Sequence, residues 1–238
     1  MPSAGADRED PAERPVLTVA QVFDLASRMR FPRFRALVLL TAFATLRWEE
    51  VTALRRCDIA EDGSWVRVSF AHTEVVGRGI VVGPPKSRAG VRTISIPKVV
   101  RAELVDHLAA FVGPNPTDLV FTGPKGAPLR RGNFNTLVRW VDTVKAMGAA
   151  GLHFHDLRHT GNLFAAQSGA STKDLMARMG HDDMRAALIY QRATSEADRR
   201  IADRISDLVD EQRGPRADSE DDEDDGDDGA AGALVPAG

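Results

Sequence analysis

One stretch constrains this chain more than any other. Residues 34–46, reading FRALVLLTAFATL, are apolar nearly all round. A helix without a polar face has to be covered on every side. The run therefore predicts a central buried helix that the rest of the domain packs around. It delivers Arg47 at its end, where a cation could simply cap the helix C-terminus. Upstream, Thr18 with Gln21 three residues on has the pattern of a capping box. Val22, Leu25 and Met29 then space as a short amphipathic helix, and Pro32 either ends it or starts the next element. A further short helix is expected over 49–54.

A β region follows. Residues 65–70 read as a strand, and 80–82 with 91–96 read as a hairpin pair. The connection between these two, GPPKSRAG, is loop-like and carries Lys86. Pro97 suits the first turn of a helix reaching about Val112. Residues 131–147 repeat Phe134, Leu137, Val138, Val141 and Val144 at helical spacing. A helix over 154–167 is stopped by Gly169, and a short one capped by Ser171 is closed by Gly180. Further helices are expected over 184–190 and 195–213. The fold class is α+β, mostly helical with one small antiparallel sheet.

Length and charge narrow the function classes. At 238 residues the chain holds one full domain or two small ones. No apolar run approaches a membrane span, and the polar N-terminus lacks a secretory core, so the expected compartment is the cytoplasm. A lone cysteine, Cys57, excludes an intrachain disulfide. The net charge of −3 is segregated: residues 218–228 hold nine acids and no base. Residues 16–213 carry 28 Lys+Arg against 21 Asp+Glu, a net of +7. A basic body with an acidic tail is compatible with nucleic-acid binding, and equally with a solvated surface and a solubilising tail. Residues 1–15 and 214–238 are expected to be disordered, leaving 16–213 as the folded body.

The chemistry-bearing residues gather late in the chain. His155, Arg158 and His159 fall at i, i+3 and i+4 and share one helix face. An arginine there can fork two N–H groups onto phosphate oxygens, and a histidine can move a proton near neutral pH. His181 follows the helix-ending Gly180, and Tyr190, the only tyrosine, comes nine residues later. Taken singly, each has an ordinary structural reading. A histidine pair at this spacing could also bind zinc with His153 or Cys57 as a third ligand.

Taken in order, these residues resemble the catalytic domain of the tyrosine recombinase (phage integrase) family. The resemblance rests on Arg47 in TLRWEEV, Lys86 in PPKSRAG, His155 and Arg158 in HDLRHT, His181 in MGHDD and Tyr190 in ALIYQR, over about residues 17–213. It implies that residues 16–213 form a catalytic domain acting on double-stranded DNA without metal, ATP or cofactor. Arg47 and Arg158 would clamp a scissile phosphate, and Tyr190 would attack it to leave a 3′-phosphotyrosyl bond. His155 would take the phenol proton, Lys86 would protonate the departing 5′-oxygen, and His181 would hydrogen-bond the phosphate. Glu50 matches the acidic residue that orients the arginine, and His159 a supporting histidine. The segment 195–208 matches the part that docks on a neighbouring protomer in a synaptic tetramer, and reads equally as a helix packed on its own domain.

Departures from the family pattern carry expectations of their own. Glu49 stands where a small residue is usual; it either faces solvent or competes with phosphate for Arg47. Thr45 replaces a usual glycine. About sixteen residues precede the domain where family members carry a clamp domain, so DNA affinity is expected to be weak and salt-sensitive. A regulatory DNA-binding fragment and a type IB topoisomerase-like nicking–closing enzyme are the competing readings. A metal-dependent nuclease lacks an acidic cluster of suitable spacing.

Overall fold

Residues 35–43 of the apolar run at 34–46 form the helix around which the others are arranged, and 44–46 turn away past its end. The computed structural model describes residues 15–180; the expected ends, the helices expected over 184–190 and 195–213, and with them His181 and Tyr190, lie outside the described residues. After a 3-10 turn at Pro32–Phe34, helix α2 (Arg35–Phe43) buries every residue from Ala36 to Ala42. Helix α1 (Val19–Ser27) packs on it. The expected capping box opens α1: Thr18 Oγ1 accepts from the Gln21 amide at 3.2 Å, and Gln21 Oε1 accepts from the Thr18 amide at 2.8 Å. Helices α4 (Lys98–Phe111) and α7 (Phe154–Gln167) also cover α2. The crossing with α7 is unusually close, because a Cβ on Gly161 would stand 1.8 Å from the Ala42 carbonyl oxygen.

An aromatic cluster ties the start of α2 to the elements that carry polar groups. Phe34 stacks edge-on against Phe134, and Phe134 against Phe154, with ring centroids 5.2 and 5.4 Å apart. Trp48, next to Arg47, meets Phe154, next to His155, at 4.9 Å. Edge-to-face pairs of this kind add to the burial of large apolar surfaces. They anchor the short helix α3 (Trp48–Val51) against the first turn of α7.

Among the described residues the antiparallel strands form two two-stranded ladders. Strand β1 (Trp65–Val68) pairs with β4 (Arg92–Ser95), and β2 (Ala71–Val75) pairs with β3 (Gly79–Gly83). The expected pairing of 80–82 with 91–96 is therefore replaced. Only residues 76–78 separate β2 from β3, and a short connection loses less chain entropy on closing than the longer link to β4. The connection over 84–91 keeps its loop character and carries Lys86.

Residues 131–147 are not one helix. Helix α5 (Arg131–Val138) ends at Arg139, whose φ of 53° is left-handed, and α6 (Trp140–Ala146) starts anew. The break turns Trp140 inward, where its indole packs on Phe154 and donates to the Leu152 carbonyl at 2.7 Å. Val141, in phase on the expected single helix, is instead 72% exposed. Helices α7 and α8 (Thr172–Met179) match the sequence reading, including the Ser171 cap and the Gly180 stop. Among the described residues the class is the expected α+β.

Candidate active site

The candidate site begins where α2 stops. The chain turns through Thr45, a β-branched residue with φ 55°, and sets Arg47 at the N-cap of α3. Arg47 thus heads the following helix instead of capping the preceding one. Glu50 sits one turn on and is 2% exposed. Its Oε2 accepts from the Arg47 amide at 2.9 Å, and its Oε1 from Arg47 Nη1 at 2.6 Å. Both oxygens also accept from Arg92 on β4, Oε1 from Nη1 at 3.1 Å and Oε2 from Nη2 at 3.0 Å. Arg158 Nη1 stands 3.9 Å from Oε2. One buried carboxylate is thus surrounded by three guanidinium groups.

The electrostatics follow from that arrangement. Burial alone raises the Glu50 carboxyl, but hydrogen bonds and charge from Arg92, then from Arg47, outweigh it and hold the group at about 2. The cluster keeps a surplus of positive charge, of the sign a phosphate needs. Arg47 is its more open member, with a side chain 24% exposed against 4% for Arg158.

Arg158 comes from α7, where Leu157 and Arg158 face the interior. Its Nη1 donates to the Thr45 carbonyl and its Nη2 to the Met179 carbonyl at 2.6 Å. His155 lies exposed one turn earlier on α7, and His159 is half-buried beside Arg158 in sequence. The start of the helix is closed by the His153 amide donating to Asp156 Oδ2 at 2.7 Å.

Gly180 brings the last segment in. Its φ of 64° ends α8, and a Cβ there would stand 2.9 Å from Arg92 Nη1 and 3.0 Å from the Ala89 carbonyl oxygen. Its carbonyl accepts from Arg47 Nη2 at 3.1 Å and from Ser87 Oγ at 3.3 Å. The residue preceding His181 is therefore held against Arg47 and against the loop of Lys86. Lys86 itself is exposed on that loop.

The described residues thus bring together Arg47, Glu50, Arg158 and the Gly180 carbonyl, with the Lys86 loop braced through Ser87. Glu49 is exposed on α3, as its solvent-facing reading expected. Among the described residues no three His, Cys, Asp or Glu side chains gather as a metal site requires. No described helix is long and apolar enough to cross a membrane.

Sequence reasoning missed Arg92 and Arg178. Arg178 donates from Nη2 to the Phe43 carbonyl at 2.6 Å, joining the end of α2 to α8. Burial, then the nearby Arg92 charge, lowers its pKa from the ordinary guanidinium value. A signal for Arg92 was present: it stands in phase with Ile94 and Ile96, which are buried. An arginine on the inward face of a strand needs a buried partner.

The fold is shared with solved integrase and recombinase structures. The Tn1549 transposon integrase superposes with a TM-score of 0.68 at 22% identity, over 82% of this chain and 69% of that one. XerA recombinase gives 0.60 at 17% identity, over 89% and 68%. The family described as the phage integrase family matches residues 17–197, and the chain belongs to it. It is 41% identical over 180 residues to the prophage phiRv2 integrase of Mycobacterium tuberculosis, covering 75% of this chain and 48% of that protein. It is 34% identical over 207 residues to the integrase of Mycobacterium phage D29, covering 85% and 55%. The chain spans about half the length of these curated relatives.

Proposed function

We propose that this chain carries the catalytic domain of a site-specific tyrosine recombinase, over about residues 16–213, that cuts and rejoins double-stranded DNA. The observation that carries the reading is the buried Glu50 carboxylate with Arg47, Arg92 and Arg158 around it. Such a cluster presents fixed positive charge where a phosphorane would develop negative charge, and preorganised charge of this kind is usually the largest catalytic term.

In this reading Arg47 and Arg158 take the non-bridging oxygens, with His181 hydrogen-bonding one of them. The Tyr190 oxygen attacks phosphorus and gives its proton to His155. The P–O5′ bond breaks, and the leaving oxygen takes a proton from Lys86. A 5′-hydroxyl from another strand then reverses the step, so the phosphodiester energy is conserved and neither ATP nor metal is consumed. Glu50 orients Arg47, and His159 supports the helix face of Arg158. Related proteins fit the reading: Tn1549 integrase has been solved in complex with circular intermediate DNA, and XerH recombinase bound to its difH substrate. By the same argument the partners are duplex DNA and further protomers in a synaptic tetramer, reached through 195–208, and the compartment is the cytoplasm.

The test is covalent trapping with the full chain in metal-free buffer. The substrates are nicked duplexes made from the DNA flanking its gene, in which the cleaved 5′ fragment diffuses away. A denaturing gel should show a protein–DNA adduct that Tyr190→Phe abolishes without loss of DNA binding. DNA retained at low salt with no wild-type adduct overturns the proposal in favour of a regulatory DNA-binding fragment.

A further inference from the structure

Glu50 poses an electrostatic conflict. It orients Arg47 through two hydrogen bonds, yet a carboxylate 2.6 Å from a guanidinium also cancels the charge that a phosphate would feel. Arg92 is placed to resolve it. Its Nη1 and Nη2 engage both Glu50 oxygens, and its side chain is only 6% exposed. It is thus a buried counter-charge turned toward the carboxylate, while the more open Arg47 is left with the outward position.

The same guanidinium reaches two more segments. Nε donates to the Arg178 carbonyl at 2.8 Å, two residues before Gly180, and Nη1 donates to the Gly90 carbonyl at 2.9 Å, at the end of the Lys86 loop. Four N–H···O bonds to three chain segments suit the rigid fork of an arginine; a lysine ammonium offers donors from a single point.

We propose that Arg92 is a positioning residue of the strand-transfer site: it neutralises Glu50, so that Arg47 meets the scissile phosphate with its charge uncancelled. It does so while tied to the end of the Lys86 loop at Gly90 and to the last turn of α8 at Arg178. The inference rests on the proposed recombinase reading and adds to it a residue that does not touch the substrate.

The decisive comparison uses two versions of the trapping duplex. One has the natural phosphodiester at the cleavage position. The other has a methylphosphonate there, which replaces a charged non-bridging oxygen by methyl and removes the negative charge that Arg47 is needed to meet. Single-turnover adduct rates are measured with the full-length wild type, Arg92→Gln and Arg92→Lys. Arg92→Gln should slow attack on the phosphodiester by about a hundredfold or more, the scale of losing one preorganised charge contact. On the methylphosphonate the loss should be under about tenfold, and Arg92→Lys should fall between wild type and Arg92→Gln on the phosphodiester.

Equal losses on both substrates would mean that Arg92 only supports the fold, and a phosphodiester rate within threefold of wild type would mean it does not act; either overturns the proposal. Should Arg92→Gln not fold, Arg92→Lys alone decides: a substrate-dependent loss supports the proposal and a substrate-independent one overturns it. A wild-type protein that forms no adduct on either duplex fails at the recombinase reading itself, a different result from a wild-type adduct that the Arg92 variants match.

Discussion

Replacing Glu50 by glutamine tests the centre of the site most directly. The carboxylate accepts four hydrogen bonds, from the Arg47 amide, Arg47 Nη1, Arg92 Nη1 and Arg92 Nη2, at 2.6 to 3.1 Å. An amide of the same shape keeps one acceptor oxygen and turns an NH2 group toward donors. Removing one member of a buried ion cluster while its partners remain typically costs about 3–5 kcal/mol. The pH dependence gives an independent handle. Glu50 is held at about 2 in the fold against an ordinary 4.5, which corresponds to about 3 kcal/mol of stability. Because the folded value is depressed, that stability is fully present above pH 4.5 and is lost as pH falls toward 2. The amide has no such titration. Urea unfolding followed by tryptophan fluorescence should therefore show Glu50→Gln about 3–5 kcal/mol less stable at pH 7. The gap should narrow as pH is lowered from 4.5 toward 3. A variant within 1 kcal/mol of wild type at pH 7, or a gap that does not change with pH, would refute this account of the cluster.

Two further substitutions test the scaffold. Gly161→Ala places a methyl 1.8 Å from the Ala42 carbonyl oxygen, so α2 and α7 must move apart. Overpacking of this order costs about 1–3 kcal/mol, and a thermal melt should fall by roughly 2–12 °C; an unchanged Tm would show that the crossing is loose. At Arg139, with its left-handed φ of 53°, glycine removes backbone strain and loses only an exposed ion pair with Asp142. Arg139→Gly should unfold at a higher denaturant concentration than Arg139→Val by about 1–2 kcal/mol, and the reverse order would mean that the helix break is not held by its backbone conformation.

Much of the helical framework was legible because its signals are local. The Thr18–Gln21 pair, the Ser171 cap and the Gly180 stop each act within one turn of the residue that shows them. The apolar run at 34–46 declared its own burial. The strand pairing was not legible, since the partner of 80–82 depends on how two connections compete, and neither strand encodes its partner. The break at Arg139 was hidden for a similar reason. Helical spacing continues through 131–147, and only the packing of Trp140 against Phe154, with a carbonyl for its indole N–H, makes a left-handed residue worth its strain.

The candidate site divides in the same way. Arg47, Glu50, Lys86, His155, Arg158, His181 and Tyr190 are named from the resemblance to the phage integrase family that their types and order carry. Sequence determines which chemical groups are available and which neighbours share a helix face, because those relations are set within a few residues. Their convergence is a tertiary fact. Glu50 meets Arg92 across 42 residues, Arg47 reaches Gly180 across 133, and Arg158 reaches Thr45 across 113. Contacts at such separations exist only once the core has closed, so only the fold decided that one carboxylate would hold three guanidinium groups.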